Sequence, residues 1–406
     1  MKRTAVALVA TTSLLMSAPS AASAAEARWA GGWGASPQAP VAGFEPNWSR
    51  EGFADQSVRQ VVRVTAGGPL LRVRLSTVHS GPVSLTGATI ARAADGGAVR
   101  PGSVRRLTFG HRAGVEIPAG REIVSDAAAL PVGPLDEVAV TLHFARPTGP
   151  ATFHASALAT SFRASGEHLS DTSAAAFTET TRSWYFLTGV DVLDTSPRRG
   201  TVVAFGDSIT DGVGSTVDAD NRYPDELAER LRGRFGVLNE GIGGNRVLND
   251  SPCFGESATK RFTRDVLGRP DVRTVVVLEG INDIISSDVE FECFVPNPEV
   301  TAAEVIAGHR TLIRQAHARG VRVVGATLLP VKGFATYGER IEAVRSEVNA
   351  WIRTSGEYDA VVDFDRALAD PADPRALLPA YDSGDHVHPN DAGYRAMAAA
   401  VDLRAL

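Results

Sequence analysis

The chain has 406 residues, of which 44% are hydrophobic and 22% charged, with a formal net charge of -6. This is the composition of an ordinary globular protein, and it carries no basic footprint of the kind a nucleic-acid partner requires. The length exceeds the roughly 100 to 200 residues of one domain, so two domains are expected.

The first residues have the form of an export signal over residues 1–24. Lys2 and Arg3 supply charge, Ala5 to Leu15 a short apolar stretch, and Ala22-Ser23-Ala24 a small-residue cleavage site. That stretch falls short of the ~20 residues a membrane span needs, and no later segment reaches that length. A secreted, extracellular protein without an integral span is expected. Two cysteines in an exported chain, Cys253 and Cys293, suggest one disulfide tying together two loops.

From Arg59 to Phe144 the chain alternates short apolar and polar runs, such as Val61-Val62-Arg63-Val64 and Leu71-Arg72-Val73-Arg74-Leu75. Further runs cover Val138 to Phe144 and Trp184 to Val192, with turns expected at Gly67-Gly68-Pro69 and Asp95-Gly96-Gly97. Residues 25–195 therefore read as an all-β, sandwich-like domain.

After Asp194-Thr195-Ser196-Pro197 the texture changes, and Pro197 to Gly200 reads as a junction. Strands are expected at Thr201–Phe205, Gly236–Asn239, Thr274–Leu278, Val321–Ala326 and Ala360–Val362. Amphipathic helices are expected at Tyr223–Phe235, Ala302–Arg319, Gly338–Thr354 and Asp391–Val401. Regular alternation of strand and helix over residues 199–406 predicts a parallel sheet covered on both faces, with ligands bound beyond the carboxyl ends of its strands.

Four segments at those ends carry candidate chemistry. The apolar run Val202 to Phe205 stops at Gly206 and hands Asp207 and Ser208 to a loop. A serine hydroxyl is a poor nucleophile without an adjacent base, and on its own such a serine is equally a helix cap. Near the chain end, Asp385-His386-Val387-His388-Pro389 places an acid three residues before a histidine. His388 can face Ser208 while Asp385 holds the other ring nitrogen. His386 falls on the opposite side of an extended segment and is assigned a structural or substrate-lining part. Asn239 to Asn245 supplies glycines that let a backbone N–H approach a ligand closely. Leu278 to Asp283 offers a side-chain amide.

Together these blocks resemble the SGNH hydrolase superfamily, the GDSL-type lipases and esterases, in the manner of secreted bacterial two-domain esterases. Gly206-Asp207-Ser208-Ile209 is similar to the first block, with Ile209 where the family name has Leu. The resemblance implies Ser208 as nucleophile, His388 as base and Asp385 as its orienting acid. It also implies an oxyanion hole of the Ser208 N–H, the Gly244 N–H (with Gly243 as the alternative) and the Asn282 side chain. The implied fold is a three-layer α/β/α sandwich, a flavodoxin-like parallel sheet of about five strands, preceded by the β-sandwich-like domain. No metal or organic cofactor is implied.

The expected activity is hydrolysis of carboxylic esters through an acyl-enzyme, on small-molecule or polymer-borne substrates, by a monomer. Alternatives within the same chemistry are a polysaccharide deacetylase, if Trp29, Trp33, Trp48 or Trp184 stack on sugars, and a lipase or phospholipase. Rivals outside it are an inert carbohydrate-binding module, a metal-dependent phosphodiesterase and a peptidase.

Overall fold

The computed structural model describes residues 28–194 and 200–406. The expected export signal and residues 197–199 of the expected junction lie outside the described residues.

Residues 28–194 are built from antiparallel strands in two main sheets. In one, Leu187–Asp194 lies between Arg28–Gly34 and Gly68–Ser76, and the last of these also pairs with Glu122–Val124 and Ala128–Val132. In the other, Gln56–Arg63 and Glu137–Phe144 lie side by side, followed by Gly87–Arg92. Both contribute to one buried cluster, with Leu71, Val73, Val190 and Val192 from the first and Val58, Ile90, Val138 and Val140 from the second.

Two expectations need correction here. The turn expected at Gly67-Gly68-Pro69 is shifted, because Gly68 and Pro69 already belong to the strand Gly68–Ser76. Proline is tolerated at a strand's beginning, where its missing N–H costs little. The run Trp184 to Val192 is two strands, Trp184–Tyr185 and Leu187–Asp194, interrupted by Phe186 at φ 57°. Apolar alternation does not register one left-handed residue.

The remaining residues form a five-stranded parallel sheet. Numbered along the chain, its strands Thr201–Gly206, Gly236–Gly241, Val272–Leu278, Arg322–Ala326 and Ala360–Val362 lie in the order 2-1-3-4-5. Val202, Val203, Ala204 and Phe205 are all fully buried, as an inner parallel strand with both faces covered requires. The sheet is accompanied by helices Tyr223–Leu231, Ala302–His317, Glu339–Thr354 and Asp391–Ala400. Thr301 and Glu304 form a reciprocal capping box at the start of the second of these. The helix expected to run to Phe235 stops at Leu231, because Arg232 and Gly233 turn left-handed at φ 50° and 71°. Among the described residues, no helix is long and apolar enough to cross a membrane.

Register positions the site. Gly206 lies opposite Gly241 on one neighbour and Leu278 on the other. The loops that follow these three strands therefore leave the sheet level with one another.

The two parts share a tight seam. Gly31 N–H donates to Thr201 Oγ1 at 2.9 Å, and Thr65 Oγ1 donates to the Val237 carbonyl at 2.9 Å.

Gly241 is where the fold leaves no room for a side chain, since a Cβ there would land on the backbone nitrogen and Cα of Asp211. Gly241→Ala should therefore cost about 1–3 kcal/mol of stability, read as a lower denaturation midpoint at unchanged m-value.

Candidate active site

Ser208 is the first residue of the short helix Ser208–Asp211, which Asp207 caps by accepting the Ile209 N–H at 2.9 Å. The structure thus divides the work between the two residues: Asp207 caps, and Ser208 keeps its hydroxyl free for another partner. Only 8% of Ser208 is exposed. Its Oγ lies 2.8 Å from His388 Nε2, and His388 Nδ1 lies 2.5 Å from Asp385 Oδ2. The other oxygen of Asp385 accepts the backbone N–H groups of Val387 and His388 at 3.0 and 2.8 Å. Partial burial pushes the Asp385 carboxyl up, but the hydrogen bond and charge of His388, with those two amides, hold it well below the usual carboxylate range. It is an ionised acceptor, which fixes the proton of His388 on Nδ1 and leaves Nε2 to face the hydroxyl.

His386 is turned elsewhere. Its Nδ1 lies 2.6 Å from Asp382 Oδ2, its side chain is half exposed, and its backbone sits at φ 66°. It braces the loop and does not line the cavity beside Ser208.

The two glycine alternatives are separated by their hydrogen bonds. Gly243 N–H donates to Asp211 Oδ2 at 3.0 Å. No hydrogen bond from the Gly244 N–H is seen among the described residues, and Gly244 lines the cavity that holds Ser208. Gly244 has φ 72°, and a Cβ there would strike the ring of Phe254. Asn282 lines the same cavity. One of its amide hydrogens is given to the Asn245 carbonyl at 2.9 Å, which orients the group and leaves the second hydrogen.

Asp283 ties these loops together, accepting the N–H groups of Val247 and Leu248 at 2.7 and 3.0 Å. Burial pushes its carboxyl up to about 6 despite those two donors.

The cavity is about 570 Å³ in volume. Beyond the polar groups just named its wall is apolar, with Phe44, Phe254, Phe291, Phe294, Ile285 and Val217 prominent. Cys253 and Cys293 form a disulfide, and it joins the loop of Phe254 to the loop of Phe291 and Phe294. Phe44 comes from the β-rich part and stacks on Phe254 with centroids 5.7 Å apart. Sequence reasoning passed over this wall, although aromatic residues adjoin both cysteines. Among the described residues, no group of three or more His, Cys, Asp or Glu side chains is arranged to hold a metal ion.

Residues 204–396 match the GDSL-like Lipase/Acylhydrolase family. The segment is a GDSL-like lipase/acylhydrolase domain, and the protein that carries it is a carboxylic ester hydrolase.

Solved structures similar to this chain include a lipolytic protein of the G-D-S-L family from Desulfitobacterium hafniense. It is 22% identical, with 51% of this chain and 99% of that one covered and a TM-score of 0.39. A GDSL-like lipase from Bacteroides thetaiotaomicron is 20% identical, with coverages of 49% and 84% and a TM-score of 0.37. A carbohydrate acetylesterase family member from Sinorhizobium meliloti is 16% identical, with coverages of 49% and 93% and a TM-score of 0.39. No curated protein sequence matches the chain.

Asp207 yields a pH test. Burial pushes its carboxyl up to about 7, helped by the charge of Asp283 and opposed by the Ile209 N–H, His388 and Arg261. In the unfolded chain the same carboxyl ionises near 4, so between these values the folded state holds the extra proton. The contribution of Asp207 to stability is complete below about pH 4 and is lost as pH rises through about 7. Asp207→Asn keeps a capping oxygen and cannot ionise. Its melting temperature relative to the parent should rise steadily from pH 4 to pH 8 in thermal scans; a constant difference contradicts the assignment.

Proposed function

We propose that the protein is an exported serine esterase working through a Ser-His-Asp triad and an acyl-enzyme. The observation that carries this reading is the continuous hydrogen-bonded row from Ser208 Oγ through His388 to Asp385 at 2.8 and 2.5 Å. Ser208 attacks the ester carbonyl as His388 Nε2 takes its proton. The ionised Asp385 stabilises the imidazolium that results, and His388 then returns the proton to the departing alcohol. Water attacks the acyl-enzyme by the same proton path in reverse. The negative oxygen of each tetrahedral intermediate is held by the Ser208 and Gly244 N–H groups and the free amide hydrogen of Asn282. We read the layers as an α/β/α sandwich behind a β-sandwich, and the site as complete in one chain. Export is supported by the leader-like residues 1–24 and by the disulfide.

The substrate class follows from the wall of the cavity, which suits an ester with an apolar acyl or aryl group. A polysaccharide deacetylase draws no support from the tryptophans. Trp33, Trp48 and Trp184 are buried core residues, and Trp29 lies under the guanidinium of Arg72 at 4.4 Å.

Ser208→Ala should lower turnover of p-nitrophenyl butyrate by on the order of 10⁴-fold or more, with the melting temperature close to the parent's. Near-parental turnover removes Ser208 from the nucleophile's role. In a series of p-nitrophenyl esters, kcat/KM should rise about two- to fourfold for each methylene added beyond acetyl until the cavity is full. A flat series together with release of acetate from acetylated xylan would favour the deacetylase.

A further inference from the structure

One histidine of the β-rich part reaches into the hydrolase part and takes no share in the triad. His154 ends the short strand Phe153–His154 and is 3% exposed. Its Nδ1 lies 3.0 Å from the Ser36 carbonyl oxygen, and its Nε2 lies 3.0 Å from Asp211 Oδ1. The Ser36 carbonyl only accepts, so Nδ1 carries a proton, and Nε2 donates to the carboxylate when the ring carries its positive charge. Burial opposes that charge. The charge and hydrogen bond of Asp211, the Ser36 carbonyl and the charge of Glu240 outweigh it, and His154 is held above its ordinary value. The ring lies against Trp184, 5.4 Å between centroids, and Trp184 packs edge-on to Trp33. A buried ring held at both nitrogens and against an indole has one orientation.

The second oxygen of Asp211 receives the Gly243 N–H at 3.0 Å. Asp211 is the last residue of the helix that Ser208 begins, and Gly243 immediately precedes Gly244. Two successive glycines have soft backbone torsions, so the peptide carrying the Gly244 N–H needs an outside restraint to face one direction. Asp211 supplies that restraint on one side of the Gly243 residue, and His154 determines which way the Asp211 carboxylate faces.

We propose that His154 is a positioning residue of the oxyanion site, fixing Asp211 so that Asp211 pins Gly243 and thereby aims the Gly244 N–H at the carbonyl oxygen under attack. This rests on the esterase reading of the site. It makes the β-rich part a working component of the catalytic apparatus rather than a separate binding module, because the restraint originates on its strand and on the Ser36 carbonyl.

The test uses the full chain with His154→Ala, His154→Gln and Asp211→Ala. Active sites are counted by titration with a fluorophosphonate, so unfolded protein does not enter kcat. Steady-state hydrolysis of p-nitrophenyl butyrate and inhibition by 1-butaneboronic acid, whose serine adduct is tetrahedral, are then measured. A misaimed oxyanion donor should lower kcat per titrated serine by about tenfold or more, with KM within twofold. Boronate affinity should weaken by a similar factor, since both depend on a tetrahedral oxygen. His154→Gln fills the ring's space and carries the measurement if the alanine variants do not fold. A kcat per titrated serine within twofold of the parent in the folded variants overturns the proposal. So does a fall in kcat with boronate affinity unchanged, which would place the effect outside the stabilisation of a tetrahedral oxygen. Near-parental hydrolysis in Ser208→Ala would instead refute the Ser208 triad on which the proposal rests.

Discussion

A single buried guanidinium holds together the ends of the strands on which the site is built. Arg261 has no exposed surface, so each of its donors must find an acceptor in the protein. It donates to the carbonyls of Gly206 and Glu240, each at 2.8 Å, and to Asn245 Oδ1 at 2.8 Å. Ser36 Oγ of the β-rich part accepts at 3.0 Å, and Glu279 lies 3.3 Å away. Gly206, Glu240 and Glu279 stand at the carboxyl ends of three adjacent strands, and the ring of Phe205 lies 4.0 Å beneath the charge. A buried ion of this kind adds little net stability compared with a hydrophobic core. Removing it alone would strand its partners, at a cost of about 3–5 kcal/mol. Its effect is specificity of arrangement: three loops that each carry one element of the site can leave the sheet in only one relation to one another.

Above that knot the site is assembled by short-range locks. Asn282 is steered by the Asn245 carbonyl, Asp283 clasps the Val247 and Leu248 amides of the same loop, and Asp385 holds its own loop through two backbone N–H groups. The candidate groups are therefore positioned by neighbours whose own geometry is already determined, as the proposed stabilisation of a developing oxyanion requires. The apolar half of the cavity is constructed differently. Its aromatic wall rests on two loops joined covalently through Cys253 and Cys293 and on Phe44 arriving from the other part of the chain. In the proposed reaction polar contacts would locate the ester bond, and van der Waals contact the apolar group attached to it.

The relation between the two parts of the chain is set by burial of charge. Glu240 faces Arg269 at 2.7 Å and Ser36 at 2.8 Å, and His154 faces Asp211. Glu240 and Arg269 lie on the same side of the seam, so of these pairs it is His154 and Asp211, both buried, that separating the parts would leave unpaired. Two of the four tryptophans that might have marked a sugar-binding face stand behind the His154 ring. Trp33 and Trp184 pack edge-on at 4.7 Å, and Trp184 supports the ring of His154.

Patterns that act over a few residues were legible in the sequence. The parallel strands are apolar on both faces, and each of the five was located to within a few residues. The blocks around Ser208, Gly244, Asn282 and His388 are short, and each follows an apolar run or precedes a helix. The Asp385 and His388 pairing is local, spanning one turn of chain. Contacts between distant residues were not legible: Asp211 with His154 across 57 positions, or Arg261 with Ser36 across 225. Local periodicity says which side of an element is apolar and nothing about which distant polar group will meet it. The same limit explains the shifted turn at Gly68 and the strand broken at Phe186, where tertiary packing selected a backbone torsion that residue type alone left open. The sequence by itself determined the elements, the order of the blocks and the chemical types of the candidate groups. Only the tertiary structure decided which glycine keeps its N–H free, which histidine faces the serine and what the cavity is lined with, because each depends on hydrogen bonds and contacts that exist only once distant segments are packed together.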